Sequence, residues 1–300
     1  MNNFFLHIIN RLRKEFIYII YGRKFYNNSF GIKLLTIDET LDYMSHFGHS
    51  IVRFGDGEFN LMNGGNIPEY QEFDKTLSLR LKKLFNSSPS NLLVCLPEPM
   101  RTIRPFIRKS RIHWTNIFYN NSKMYDEILN HETIYGNSFV SRPYIIFADK
   151  TLSSKWFEKF LDIFVNKDIV IIEGEYSRSG VGNDMFSKAK TVKRILCPSK
   201  NSFRKYEQIR DAAMECSRTS LYLIALGPTG KLITEDLAND GRWALDIGHI
   251  DSEYEWYLRA AHGKVAIANK HTAEHVDSNI GECEEPEYLN SIIKRISINE

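Results

Sequence analysis

The first residues in this sequence with the makings of a chemical site are Arg53-Phe54-Gly55-Asp56-Gly57-Glu58. Asp56 and Glu58 lie two apart with glycines before and between them, a layout that lets the backbone turn tightly and both carboxylates converge on one point. Two hard oxygen ligands on such a turn suit Mg²⁺ or Mn²⁺, ions held by one or two carboxylates together with substrate phosphates. The same residues also suit a Gly-Asp-Gly turn capping a helix that starts near Glu58, and the motif alone does not choose between the two.

Three further loops carry polar groups suited to an anion. Glu173 to Asp184 (EGEYSRSGVGND) holds three glycines, two serines and Arg178, offering backbone amides, hydroxyls and a guanidinium to a diphosphate. It lacks the GxxxxGK[ST] spacing of a P-loop. In Cys197-Pro198-Ser199-Lys200-Asn201-Ser202-Phe203, Ser199 or Ser202 is placed to cap a helix while Lys200 and the first amides face outward. Leu226-Gly227-Pro228-Thr229-Gly230 is similar to a dinucleotide-binding turn but has no GxGxxG. Asp246 to Glu253 then gathers three acids and His249 within eight positions. His249 could serve as a metal ligand, a phosphate partner or a base, or simply be hydrogen-bonded, and Asp246 and Asp251 could equally cap turns.

These loops need elements that hold them at one edge. Apolar runs at Ser50 to Phe54, Leu92 to Leu96, Asp168 to Ile172, Val192 to Cys197, Leu221 to Leu226, Trp243 to Ile247 and Val265 to Ala268 are continuous rather than alternating, the mark of strands covered on both faces. Helical patterns separate several of them, notably Ser202 to Cys216 and Gly230 to Asn239. The stretch from Pro97 to Lys167 is aromatic and basic and reads as mostly helical. Alternation of strand and helix predicts an α/β, Rossmann-like, mostly parallel sheet flanked by helices. In such sheets ligands bind at the carboxyl ends of the strands, where all the loops above lie.

The bulk composition agrees with a folded enzyme-sized domain. The chain has 300 residues, 43% hydrophobic and 25% charged, with a formal charge of +2 from 39 Lys and Arg against 37 Asp and Glu. That balance excludes a disordered tail and argues against a nucleic-acid partner, which needs a dense cationic surplus. The four cysteines (Cys95, Cys197, Cys216, Cys283) form no CxxC pair and fit a reducing compartment. Residues 4 to 20 repeat Phe4, Phe5, Ile8, Ile9, Leu12, Phe16, Ile19 and Ile20 at helical spacing. This predicts an amphipathic N-terminal helix docked on the protein's own core or on a second subunit. The sharper alternative lays it on an anionic inner membrane leaflet, with Arg11, Arg13, Lys14, Arg23 and Lys24 supplying attraction.

Taken together, RFGDGE (53–58), EGEYSRSGVGNDMF (173–186), ILCPSKNSF (195–203), ALGPT (225–229) and DIGHIDSEYEW (246–256) resemble the bacterial GT-D fold glycosyltransferases, first described as a domain of unknown function. The resemblance runs from about Leu35 to Asn269. It divides the chain into an N-terminal helical extension (1–34), a GT-D domain (35–270) and a tail (271–300), in which Lys270-His271-Thr272-Ala273-Glu274 matches the family's ending only loosely. It implies transfer of a hexose, typically glucose from UDP-glucose, to a hydroxyl of a growing surface glycan, glycolipid or glycoprotein glycan by a cytoplasmic enzyme. Asp56 and Glu58 then take the family's Asp-x-Glu role in binding metal (Mn²⁺ or Mg²⁺) and the nucleotide sugar. The expected donor-binding set is Arg53, Gly57, Arg178, Ser179, Gly180, Ser199, Lys200, Asn201, Gly227, Pro228 and Thr229. The acceptor's base is sought among Asp246, His249, Asp251 and Glu253 because acids are dense there. A metal-dependent nucleotide-sugar phosphohydrolase and a non-catalytic, nucleotide-binding assembly subunit are the competing readings. A nicotinamide oxidoreductase ranks last for want of the glycine fingerprint.

Overall fold

The computed structural model describes residues 2–28, 30–68, 70–272 and 280–298, leaving aside the side chains of residues 2–4. Among the described residues nine strands form one sheet: β1 (Lys33–Leu34), β2 (Ser50–Arg53), β3 (Leu92–Leu96), β4 (Ile134–Asn137), β5 (Asp168–Gly174), β6 (Thr191–Cys197), β7 (Leu221–Ala225), β8 (Trp243–Asp246) and β9 (Ile292–Arg295). The helices are α1 (Asn2–Tyr21), α2 (Ile37–Phe47), α3 (Asp56–Met62), α4 (Lys75–Asn86), α5 (Arg108–Ile128), α6 (Ser153–Asp162), α7 (Tyr206–Met214), α8 (Gly227–Asn239), α9 (Ile250–Leu258) and α10 (Pro286–Ser291). The strand order is β1-β4-β3-β2-β8-β7-β5-β6-β9, and every pairing is parallel.

Local sequence explains the elements. Ile51, Val52, Ile169 to Ile172, Leu221 to Ile224 and Leu245 are buried, as strands sandwiched between helices must be. Thr36 and Glu39 form a reciprocal cap on α2, which ends at Gly48 in the left-handed region (φ +60°). The Asp74 carboxylate accepts from the Leu77 amide at 2.8 Å and starts α4. Burial pushes the Cys95 and Cys197 thiols well up, which leaves them neutral core groups.

Two expectations about the strands differ from the structure. Val265 to Ala268 forms no strand: the Val265 carbonyl accepts from Trp256 Nε1 (2.9 Å) and the Ile267 amide donates to Thr272 Oγ1 (2.8 Å), so side chains occupy the groups a ladder would use. The edge beside β6 is filled by β9, from beyond residue 270. Within the stretch read as mostly helical, β4 is also a strand, too short and too interrupted to announce itself. Its Gly136 permits close packing on β3, since a Cβ there would lie 2.6 Å from Cys95 Sγ.

The helix α1 forms, but docks through the face opposite its apolar stripe. Glu15 meets Arg108 of α5 in a two-pronged ion pair (2.7 and 2.6 Å), and Asn116 Nδ2 donates to the Lys14 carbonyl at 3.0 Å. Ile17 is buried, whereas Ile9, Leu12, Phe16 and Ile19 are exposed. Phe4 belongs to the predicted stripe, but its side chain lies outside the described residues. No described helix is long and apolar enough to cross a membrane.

Helices α2 and α6 cover one flank of the sheet and are joined by Asp38, which pairs with Lys155 (2.8 Å) and Lys159 (3.0 Å) and accepts from Trp156 Nε1 (2.9 Å). Partial burial would raise the Asp38 carboxyl, but these three donors outweigh it and bring the pKa down to about 2. A depressed carboxylate stabilises the fold above its unfolded value of 3.8, and that stability is lost as pH falls through about 2. Asp38→Asn is therefore expected to lower stability by about 1 kcal/mol near neutrality, after solvent screening, or ~1 to 3 °C in Tm. Calorimetry should show the gap to wild type closing between pH 4 and pH 2.

Candidate active site

The two halves of the sheet, β1 to β4 and β5 to β9, meet at β2 and β8, which share the register pair Ile51 and Leu245. Beyond that pair the strands are joined through side chains. The Arg53 amide donates to Asp246 Oδ2 (3.1 Å), its Nη2 to Oδ1 (2.9 Å) and its Nε to the Asp246 carbonyl (2.8 Å), while Nη1 reaches Ser141 Oγ. Gly248 lets the guanidinium lie there: its φ is +46°, and a Cβ would fall 1.7 Å from Arg53 Nη2.

Into this pair comes Lys231, from the first turns of α8. Its Nζ is 3.1 Å from Asp246 Oδ2 and 3.0 Å from Glu58 Oε1, and the residue is 3% exposed. Glu58 Oε2 accepts from the Gly55 amide at 2.9 Å. The result is a buried chain of two cations and two carboxylates that ties the ends of β2, β8, α3 and α8. Burial pushes the Asp246 carboxyl up, but Arg53 and Lys231 outweigh that and hold it below the usual carboxylate range.

Asp56 and Glu58 stand in different surroundings. Residues two apart on a helix face different directions, and α3 already begins at Asp56, so Glu58 turns in toward Lys231 while Asp56 remains exposed. His113 of α5 places Nε2 3.5 Å from Asp56 Oδ2. Among the described residues no group of three or more His, Cys, Asp or Glu side chains is placed to hold a metal ion.

The loop after β5 is tightly held. Glu173, fully buried, pairs with Arg194 (2.6 Å) and accepts from the Ser179 amide (2.9 Å); Arg194 also donates to the Ser179 carbonyl (2.8 Å). Arg178 is turned inward, its Nη1 on the Asn269 carbonyl and its Nη2 on that of Gly281 (2.5 and 2.6 Å). The Gly180 amide donates to Asp251 Oδ1 at 2.8 Å.

The four acceptor-base candidates therefore have distinct surroundings. Asp246 is clamped as described. Asp251 pairs with Lys270 (2.8 Å), which also meets Glu255 (3.1 Å). Glu253 accepts from the Tyr144 and Ile145 amides, both at 3.0 Å; burial raises its pKa, and these donors and Arg142 only partly offset the rise. His249 is half-buried at the start of α9, with its ring 5.9 Å from Tyr70 and 6.2 Å from His271. Tyr70 Oη and His271 Nε2 are 2.7 Å apart.

After β6 no α-helix begins at once. Ser202–Lys205 is a 3-10 turn without a side-chain cap, and Asn201 (φ +53°) instead accepts from the Glu72 amide at 2.8 Å. Lys200 is exposed, and the Ser199 hydroxyl is buried with no hydrogen-bond partner among the described residues. Ser202 donates to the buried Thr229 hydroxyl at 3.0 Å, and Gly227 (φ +52°) and Pro228 open α8 beside it. Gly57 lies under Ile67, a Cβ there being 3.2 Å from Ile67 Cδ1. Ala273 and Glu274, from the loosely matching tail, lie outside the described residues.

The sequence pattern of the family described as Glycosyltransferase GT-D fold matches residues 51–275. The chain belongs to the GT-D fold glycosyltransferase family. It is 42% identical over 268 residues to a probable glycosyl transferase, Gly, of Streptococcus gordonii, covering 89% of this chain and 39% of that protein. With glycosyltransferase GlyD of Streptococcus pneumoniae serotype 4 it shares 40% identity over 267 residues, covering 88% of this chain and 33% of the other. The chain thus spans about two-fifths or less of these relatives' length. A solved structure of domain of unknown function 1792, described as having a distinct glycosyltransferase fold, superposes with a TM-score of 0.87 at 41% identity, covering 90% of this chain and 98% of that one. A glycosyltransferase structure of the same domain from Streptococcus sanguinis gives 0.85 at 42% identity, covering 89% and 100%.

Within this GT-D chain, sequence reading passed over Lys231, Tyr70, His271 and His113. Lys231 had a signal, a lone cation in a helix whose neighbours Leu232 and Ile233 are apolar. Lys231→Met should leave Glu58 and Asp246 sharing a buried site without their common cation. A loss of about 3 to 5 kcal/mol in urea unfolding is expected, while Lys231→Arg should recover part of it.

Proposed function

We propose that this chain transfers a hexosyl group, glucose first among candidates, from a UDP-sugar to a hydroxyl of a growing surface glycan or glycoprotein glycan in the cytoplasm. The observation that carries the reading is the GT-D match, across a sheet whose carboxyl-end loops carry Asp56, Lys200 and His249 and whose β2 and β8 ends are tied by the buried Arg53-Asp246-Lys231-Glu58 chain. An inner-membrane-face location belongs to the same reading and is supported by α1.

The residues suit a divalent ion that keeps a largely water and phosphate shell. Asp56 is the exposed hard oxygen donor, and Glu58, shared with Lys231, sets the register of the turn that presents it. Mn²⁺ or Mg²⁺ bound there would neutralise charge on the diphosphate. Lys200, and the Ser199 hydroxyl, which has no hydrogen-bond partner among the described residues, are the other groups offered to the phosphates.

His249 is the base in this reading because, of the four candidates, Asp246, Asp251 and Glu253 are 3, 5 and 1% exposed and closed off from an acceptor, whereas His249 is half-buried. Its imidazole takes the acceptor hydroxyl proton as that oxygen bonds to the anomeric carbon. The bond from this carbon to the diphosphate oxygen breaks, and UDP departs with the electron pair.

The experiment is UDP release from a panel of UDP-sugars with Mn²⁺, Mg²⁺ or EDTA, in the presence of candidate acceptors and with sugar products resolved by mass. Metal-dependent release with acceptor elongation is expected. Asp56→Ala should abolish the metal response, and His249→Ala should lower kcat by ~10² to 10⁴ with KM for donor little changed. Free sugar or sugar phosphate without elongation would instead establish the hydrolase, and UDP binding without turnover the assembly subunit.

A further inference from the structure

We infer that α1 is a membrane-surface helix, its exposed apolar stripe seated in an anionic lipid leaflet. Ile9, Leu12, Phe16 and Ile19 are 59, 63, 63 and 70% exposed. At 3.6 residues per turn they share one face, and Lys14, Ile17, Tyr18 and Tyr21 lie on the other. That second face is the one occupied by protein: the Lys14 carbonyl accepts from Asn116, Ile17 is buried, Arg108 lies over the Tyr18 ring, and the Tyr21 and Tyr119 rings are 4.6 Å apart. The stripe is therefore not a core face.

Charge selects the occupant. Residues 1 to 25 contain Arg11, Arg13, Lys14, Arg23 and Lys24 and a single acid, Glu15, which is committed to Arg108. All five cations are exposed, in a chain whose formal charge is only +2. A second copy meeting this stripe face to face would bring two sets of these cations together with no unpaired acid on either helix. An anionic bilayer meets the apolar stripe with acyl chains and the cations other than Lys14, which lies on the protein-facing side, with phosphate, and each charge near the surface adds to the attraction.

The placement has a consequence for the candidate site. Arg108 and Asn116, which anchor α1, flank His113 on α5, and His113 contacts Asp56. One helix thus joins the lipid-seated segment to the site, a geometry suited to an acceptor held at the membrane surface.

Co-sedimentation of the full chain with vesicles tests this. Vesicles of phosphatidylcholine mixed with phosphatidylglycerol should carry the protein down, vesicles of phosphatidylcholine alone much less, and added salt should weaken the binding. The triple variant Leu12→Ser, Phe16→Ser, Ile19→Ser should bind at least about ten-fold less, and Arg13→Glu with Arg23→Glu should lose the preference for phosphatidylglycerol. Circular dichroism and Tm of both variants should match wild type, since the replaced side chains are exposed. Equal sedimentation of wild type and the triple variant, or none of either, would overturn the inference. So would a wild-type dimer that the triple variant converts to monomer without any vesicle binding, for then a second copy covers the stripe. None of these readouts involves sugar transfer, so they stand apart from the proposed activity.

Discussion

The buried Arg53-Asp246-Lys231-Glu58 chain is the interaction on which the arrangement of this molecule depends. The two halves of the sheet share one register pair between β2 and β8, and past it an Asp246 oxygen takes the Arg53 amide that a strand carbonyl would otherwise accept. Two cations against two carboxylates let four charged groups leave water together, and each has directed hydrogen bonds from backbone or side chain. Such a network gives little net stability against an apolar core of the same volume, but it is costly to break singly. Its value here is geometric. It holds the ends of two strands and two helices in one register at the edge where the sheet's topology opens.

The outer ring of the site follows from that constraint. Because Glu58 is drawn inward by Lys231, the helical register leaves Asp56 at the surface beside His113. The segments after β5, β6 and β8 are braced in the same manner by Glu173 with Arg194, Asn201 with the Glu72 amide, and Asp251 with Lys270. Loops rich in glycine and serine are thus held by buried ion pairs and a side-chain bond to the backbone rather than left pliant. Most of their charged groups serve the fold, and a smaller set, Lys200 among them, remains exposed.

The N-terminal helix follows a different logic. Its polar face is satisfied by protein through the Glu15 and Arg108 pair and the Asn116 bond to the Lys14 carbonyl, so its apolar face is the one left outward. An amphipathic pattern reports that two faces exist, not which of them meets the core.

The sequence by itself determined the sheet's main strands and the loops that follow them. Long apolar runs such as Asp168 to Ile172 and Leu221 to Leu226 can only be buried on both sides, and glycine, proline and serine clusters must interrupt them at their ends. It also located the motifs through which family membership was legible. Tertiary structure alone decided the partners. That Arg53 meets Asp246 across a separation of 193 residues, that Lys231 takes Glu58, and that Arg178 turns away to Asn269 and Gly281 depend on which strand ends the topology sets side by side. The strands β1, β4 and β9 were invisible for a related reason: Lys33, Gly136 with Asn137, and Lys294 with Arg295 break the continuous apolar run that announces the equally short β2 and β8, and neighbouring strands, rather than their own composition, make them strands. Local pattern encodes how much of a segment must leave water, whereas the direction of each charged side chain is set only when the other end of its ion pair has arrived.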